Sequence, residues 1–531
     1  MTFEEEAKRL NVEEIADVLS ARAALASRNN TLQLDNKKLQ WQVAYLQRQL
    51  YGTKSERRVP EAVSPDQKSL FEIVGGDSPE ESEEVEIQSH TRKKRKQFSK
   101  EDEEAPEGTF PTHLRREEGP EIDDKPEGYS DDELEVVSEK ITERLAENPG
   151  EQYVIVYRRR VFKVKESGEL ICVPAPEHVF GQKCKVHESF LVLMVIKKFL
   201  WHLPLYRQHQ MLKLEGIKLS RPSLANWVIQ LAKLLEPIAV SLKRELLQAE
   251  YLHVDNSPGK VGRGKKKKGK SFDTGYYWPL LNPDIGVHFS FSRTKAYQAF
   301  EPIIEGFKGT LVSDAEEIFE KYTTAHELGW QLCWHHSRRN FIEAEISNPV
   351  LAARALDYIR ELYRVEREIK KLDIQDAEKI SRYRQEYSQP ILEAFKQWLK
   401  TTAASAEALT SEKLSQAISY LYTRWDAAVL FVMNGNLPPD NGADEREIKP
   451  LKLGLKNYLF CASEVGAEAA AIFYSLIASA KIHGIHPYYY LLDLLTRIDQ
   501  PGITADDLIP HNWKKRFFED AVPEKARNVL K

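Results

Sequence analysis

The chain has 531 residues, 42% hydrophobic and 10% aromatic, and a formal net charge of −5. That length is too great for one hydrophobic core and implies several domains, while the apolar content is that of a soluble folded protein. The acidic balance excludes a uniformly basic nucleic-acid binder, but charge is blocked: Ser78–Glu86 is acidic, Arg92–Lys96 basic and Lys100–Glu107 acidic again.

No membrane span is expected. The most apolar stretch, Phe190–Leu205, is interrupted by Lys197 and Lys198 and contains Pro204. The amino terminus lacks the apolar core of a signal peptide. Cys172, Cys184, Cys333 and Cys461 are scattered without a C-x-x-C pair. This argues against a disulfide framework and a cysteine-rich zinc site, and for a reducing cytosol.

Residues 1–54 read as a coiled coil. Val18, Leu25, Leu32, Leu39 and Leu46 recur every seven residues. The second seam position is mixed, with Ile15, Val43 and Leu50 apolar and Arg22, Asn29 and Asn36 polar. Asn at such a position favours a defined register and a parallel dimer. Leu25, Leu32, Leu39 and Leu46 are thus expected in a dimer interface; the alternative is an amphipathic helix docked on its own protein. Residues 55–110, rich in Pro, Ser, Gly and charge, read as a disordered linker.

Residues 111–185 alternate in a β-like way through "YVIVYRRRVFKVKESGELICVPA" and predict a small β domain. Residues 186–248 read as helical. One helix ends near Gly216, and a second starts near Pro222 with Leu224, Trp227, Val228 and Leu231 as its apolar face. Two helices around a short turn fit a helix-turn-helix, an outline that many helical hairpins share.

Residues 249–340 change to mixed α/β. "YLHV", "GTLVSDA" and "WQLCWHH" read as strands, "GYYWPLLNPDIGVHFSFS" as two strands joined at "NPD", and "AYQAFEPIIEGF" as an amphipathic helix. Residues 341–434 keep helical spacing and read as an inserted helical region. Residues 435–497 return to the core, with a short helix after "DNG" that Pro450 is expected to end; 498–531 form a tail.

Asp255 and Asp314 both fall at the carboxyl ends of apolar strands, where α/β sheets commonly present functional groups. Two adjacent carboxylates repel, and divalent cations relieve the repulsion. Mg²⁺ prefers hard oxygen ligands, and two such ions about 4 Å apart serve phosphoryl transfer. Glu445, on the helix after "DNG", is the expected third acid, with Glu447 its chief rival and Asp440, Asp444 and Glu464 looser ones. Arg338 and Arg339 are candidates for holding phosphates. His335 and His336 read as strand-end residues, structural rather than catalytic, and Trp334 and Trp425 as core. After Pro258 a flexible loop is expected, in which Arg263, Lys265, Lys266, Lys267, Lys268 and Lys270 form a mobile cationic strip. Such a strip neutralises phosphates without reading bases.

"HVDNSP", "SDAEEIFEKY", "CWHHSRRNF", "DNGADER", "KPLKLGLKNYLF" and "AAIFYSLIASAKIHGIHPYYYLLDLL" resemble, in order and spacing, the blocks of bacterial insertion-sequence-66 family transposases. "YGTKSE", "HLPLYRQ", "LSRPSLANW" and "DLIPHNW" extend the resemblance over nearly the whole chain outside the linker. It implies a multidomain, mainly α protein with an α/β core: an N-terminal coiled coil, a small β region, a helix-turn-helix and an RNase H-like catalytic core of the DDE type with a helical insertion. It implies cleavage and joining of double-stranded DNA at transposon ends and target, with two Mg²⁺ ions (Mn²⁺ substituting), by a homodimer or higher oligomer in the bacterial cytoplasm at the nucleoid, with possible accessory proteins. Carried over by motif, Asp255, Asp314 and Glu445 correspond to the acidic triad and metal ligands; Arg446 and Lys456 join the DNA-binding candidates.

This chain departs from the family pattern in places. The family usually reads Asp-Glu-Thr where this chain has Asp255-Asn256-Ser257, and Gly-Arg-Lys-Asn where it has Gly454-Leu455-Lys456-Asn457. Of the family's cysteine-rich zinc ribbon only Cys172 and Cys184 remain, so no zinc is expected. A catalytically inactive DNA-binding derivative is the second functional reading, and a coiled-coil scaffold the third.

Overall fold

The structure, a computed structural model, describes residues 110, 114–119, 134–148, 151–165, 167–181, 184–262, 272–405, 408 and 410–524. The expected coiled coil with Leu25, Leu32, Leu39 and Leu46, the basic strip of Arg263, Lys265, Lys266, Lys267, Lys268 and Lys270, and the expected linker up to residue 109 lie outside those residues; Phe110, placed at the linker's end, is instead buried in the main core.

The alternating segment forms the expected small sheet. Strand β1 (Arg115–Glu118) pairs parallel with β3 (Glu151–Val164), and β2 (Leu134–Asn148) pairs antiparallel with β3 along its length; β4 (Leu170–Ile171) joins β3 as well. Alternation in β3 divides its side chains between two faces. Val154 and Val156 enter the main core, while Tyr153, Ile155 and Tyr157 gather with Ala146.

Three helices follow: α1 (Glu188–Phe199), α2 (Leu205–Leu214) and α3 (Arg221–Leu246). The Ser220 side chain accepts from the Ser223 N–H and Pro222 sits in the first turn, so α3 starts where the sequence placed it. Leu224, Val228 and Leu231 are buried, and Trp227 meets Phe190 edge-on at 6.5 Å. Further along α3, Ile238, Leu242 and Leu246 join the core beneath the second sheet.

That sheet contains β5 (Tyr251–Val254), β6 (Ser257–Gly262), β7 (Phe272–Asn282), β8 (Gly286–Ser292), β9 (Thr310–Ser313) and β10 (Gly329–Leu332). Helix α4 (Tyr297–Ile304) precedes β9 and α5 (Glu317–Ala325) precedes β10. β10, β9 and β5 run parallel, while β7 is antiparallel to β5, β6 and β8. β5 and β6 share one register on β7: His253 pairs with Leu281, Val254 with Leu280, Ser257 with Tyr277 and Pro258 with Tyr276. They are one strand interrupted at Asp255 and Asn256. The register sets Pro279 opposite Asp255, and Pro279 has no N–H with which to close the ladder. The loop expected after Pro258 is therefore ladder up to Gly262, because β7 is long enough to pair with both pieces.

Opposite faces of this sheet meet different cores. Leu252, Val254 and Leu311 pack with α3 and with α13 (Glu464–Ile482). Val312 and Tyr251 pack with the helical insertion, α6 (Trp334–Ala344), α7 (Pro349–Lys371), α8 (Ala377–Tyr387), α9 (Gln389–Ala403), α10 (Glu412–Tyr422) and α11 (Trp425–Val429), whose own core includes Phe341, Leu362, Phe395 and Leu421. Trp334 and Trp425 are core residues, as expected, edge to face at 6.4 Å. His335 and His336 are helical rather than strand-end. β10 stops at Leu332 because the buried Trp334 ring turns inward, its Nε1–H donating to the Ala428 carbonyl at 2.7 Å.

Helix α12 (Gly442–Tyr458) runs through Pro450 instead of ending there. Pro450 costs one internal hydrogen bond, but Ile448 and Leu451 are fully buried on either side of it and hold the helix on course. Gly454 allows α12 to approach α13, since a Cβ there would lie 2.0 Å from the Tyr474 hydroxyl. By length and hydropathy α13 would serve as a membrane span, yet 67% of its apolar window is buried inside the protein, against the sheet. Its Ser475 and Ser479 hydroxyls accept from the N–H groups of Phe289 and Val287 at 2.8 and 2.9 Å, closing the outer edge of β8. Helices α14 (Pro487–Arg497), α15 (Ala505–Leu508) and α16 (Pro510–Ala521) follow among the described residues, with Trp513 buried and bonded to Asp493 at 2.7 Å.

Candidate active site

Parallel pairing of β5 and β9 aligns Tyr251 with Thr310 and His253 with Val312. Continuing that register by two residues sets Asp255 beside Asp314, at the spacing of neighbouring strands, about 4.8 Å. By the alternation of the strands both belong to the face that meets the insertion. Asp255 Oδ1 accepts from the Asn256 N–H at 2.6 Å, and Asp314 Oδ1 from the Glu316 N–H at 3.1 Å. Each carboxylate is thus oriented by the backbone that follows it.

The electrostatics of Asp314 mark this place. Burial first, then the carboxylates of Glu316 and Asp255, push its carboxyl up from 3.8 to about 7, against the Glu316 N–H and Lys295, which pull it down. Glu316 is itself held by the Asn256 side-chain amide at 2.6 Å and by the Lys295 ammonium. So Asn256, where the family pattern has an acid, brings another acid to the same place. Tyr420 of the insertion accepts the Ala315 N–H at 3.1 Å and lies in the field of Asp314. Sequence reading named neither Glu316 nor Tyr420. The doubled acid in "SDAEE" was a signal for the first; nothing in the helical stretch around Tyr420 signals the second.

The start of α12 is tied to this strand end. Asn441 donates its side-chain amide to the Val254 carbonyl at 3.1 Å and its N–H to Cys333 Sγ at 3.2 Å, while the Trp334 N–H donates to the Pro439 carbonyl at 3.1 Å. The residue before Asp255 therefore anchors the residue before α12. Glu445 lies in the first turns of that helix, and its side chain, like that of Asp444, is outside the described residues. Two of the rivals have partners of their own. Asp440 accepts from Tyr363 at 2.7 Å and from the Gly442 N–H at 2.8 Å; Glu464 pairs with Arg293 at 2.9 Å. Burial raises the Glu447 carboxyl above its usual range, with Lys481 and Arg446 pulling it back.

The cationic candidates divide. Arg446 is exposed on α12 and acts on His253, whose burial lowers its imidazole to about 4. Arg338 and Arg339 are exposed on α6, Arg338 within the field of Tyr363. Lys456 is exposed ten residues beyond Arg446, about 15 Å along the helix. Among the described residues no three His, Cys, Asp or Glu side chains converge on one ion position. The donors present are nonetheless hard oxygens in a negative field that the Glu316 N–H and Lys295 only partly offset at Asp314, the chemistry a divalent cation fits.

Comparison with known proteins supports the reading of the sequence blocks. The chain is 29% identical over 409 residues to uncharacterized protein y4hP of Sinorhizobium fredii (strain NBRC 101917 / NGR234), covering 72% of each. It is 28% identical over 492 residues to uncharacterized protein y4qI of the same strain, covering 88% of this chain and 87% of that one. Residues 38–118 match the family described as Transposase C of IS166 homeodomain, and residues 475–511 the IS66 C-terminal element. Residues 183–469, which hold both aspartates and the start of α12, match the Transposase IS66 family, and the chain belongs to that family.

Proposed function

We propose that the protein is a DNA transposase that cleaves and joins phosphodiesters at transposon ends, with Asp255, Asp314 and Glu445 as its acidic triad. The observation that carries this reading is the parallel register placing Asp255 beside Asp314, in a field that raises the Asp314 carboxyl to about 7. The strand order also supports it: three parallel strands, β10, β9 and β5, continued by antiparallel β7 and β8, is the order of an RNase H-like sheet, with the first aspartate on its central strand. Asp255, Asp314 and Glu445 would hold two divalent cations, Mg²⁺ or Mn²⁺. When bound, these activate the attacking oxygen, water or a 3′ hydroxyl, and stabilise the leaving oxygen. Arg338, Arg339, Arg446 and Lys456 would hold backbone phosphates. In this reading the helix pair α2 and α3 contacts duplex DNA, and the heptad leucines Leu25, Leu32, Leu39 and Leu46 join two copies in the cytoplasm.

The test is strand cleavage of transposon-end DNA with Mg²⁺ or Mn²⁺. Asp255→Asn, Asp314→Asn and Glu445→Gln are each expected to lose at least about a thousandfold in rate while still binding DNA, and double variants to be no worse, because metal ligands act as a unit. Full activity in Glu445→Gln would move the third ligand to another acid. A wild-type chain that binds the ends but never cleaves them would favour the catalytically inactive reading, which the change of acid to Asn256 motivates.

A further inference from the structure

On the face of the sheet that carries Asp255, a cleft of about 470 Å³ lies between β5, α7 and the start of α12. Tyr251 and His253 line it from β5, Tyr363, Arg367 and Lys370 from α7, and Arg446 from α12. His253 is two residues before Asp255, about 7 Å along the strand. The cleft therefore leads away from the paired aspartates along β5, the strand that ends at Asp255.

Its carboxylates are already engaged. Glu366 is held by two nitrogens of the buried Arg384, both at 2.8 Å, and Asp440 by the Tyr363 hydroxyl and the Gly442 N–H. Arg367, Lys370 and Arg446 are exposed and have no ion pair among the described residues. The result is a cationic rim beside one ion-paired and one hydrogen-bonded carboxylate, with half-buried tyrosine rings from two different elements. Cations follow phosphates without reading bases, and aromatic rings accept bases of any kind. The space is too small for a duplex, whose major groove alone is about 12 Å wide.

We propose that this cleft receives one strand of DNA as it leaves the paired aspartates. The inference rests on the DNA-cleaving reading above and adds the strand's path. The test uses the full chain in EDTA, which removes the metal chemistry, and a fluorescein-labelled single strand about twenty nucleotides long, read by anisotropy over a salt series. The double variant Arg367→Gln, Lys370→Gln is expected to bind at least about fivefold more weakly. Its log–log salt slope should be shallower by about 1.4, or roughly 0.7 for each lost phosphate contact. Its thermal midpoint should match the wild type, since both side chains are exposed. Wild-type binding with an unchanged slope and affinity in the variant would overturn this path alone. A wild-type chain that binds no DNA would overturn the DNA reading and the path with it.

Discussion

Asp314 is where the chemistry of a single side chain says most. A carboxyl whose folded value is raised from 3.8 to about 7 holds a proton in the native state that the unfolded chain has released. Stability is therefore greatest below the unfolded value, declines as the pH rises from about 4 to about 7, and stays reduced above that. Asp314→Asn removes this cost. Without divalent cations at about pH 8 the variant should be more stable than the wild type by up to about 4 kcal/mol, at roughly 1.4 kcal/mol per unit. The gap should close towards pH 4. Urea melts at both pH values check it; a gap that does not vary with pH would show that Asp314 is charged at no cost. Asp255 and Asp314 were legible in the sequence because each ends an apolar run. Glu316 was not, since what brings it in is a hydrogen bond from Asn256, 60 residues away, that exists only after two strands have paired.

At the scale of strands and helices, what the sequence hid was contact between elements. Strand and helix positions followed from alternation and helical spacing, and the predicted start of α3 at Pro222 was right because the cap is local. The fates of Pro450 and of the segment after Leu332 were set by burial of Ile448, Leu451 and Trp334, which no local pattern reveals. Ser475 and Ser479 are the strongest case. In sequence they are two small residues one turn apart on an apolar helix; in the fold their hydroxyls take the place of a missing strand beside β8. Ser475→Ala and Ser479→Ala should each cost about 1–3 kcal/mol, the cost of a buried N–H left without a partner. Denaturant midpoints measure this. A double variant as stable as the wild type would mean that the edge of β8 finds other acceptors.

Over the whole chain, one buried side chain of the insertion holds the segment that leads to α12. Arg384 of α8 binds Glu366 of α7 through two bonds and donates to the carbonyls of Phe431, Asn434 and Leu437 at 2.9, 2.9 and 3.0 Å. That stretch leads directly into Asn441 and α12. Arg384→Met should cost about 3–5 kcal/mol, because it leaves the Glu366 charge and three carbonyls without their partner. It should also speed amide exchange from Phe431 to Gly442, measurable by mass spectrometry; unchanged exchange there would show that the segment is held by something else. The sequence placed the insertion between the two halves of the core but gave no sign of this tie, since none of its five members belongs to a recognisable motif.

The interrupted strand of β5 and β6 has a mechanical meaning. Asp255 is gripped by paired backbone on both sides, so it is the stiff member of the pair. Asp314 is gripped on one side only; beyond it the chain leaves the sheet through Ala315 and Glu316, which rest on Tyr420 of the insertion and on Lys295. Any change in the separation of the two carboxylates must come from the Asp314 side. The compliance of the site therefore resides in the exit from Asp314, and a load on the insertion that moves Tyr420 is felt first at that aspartate.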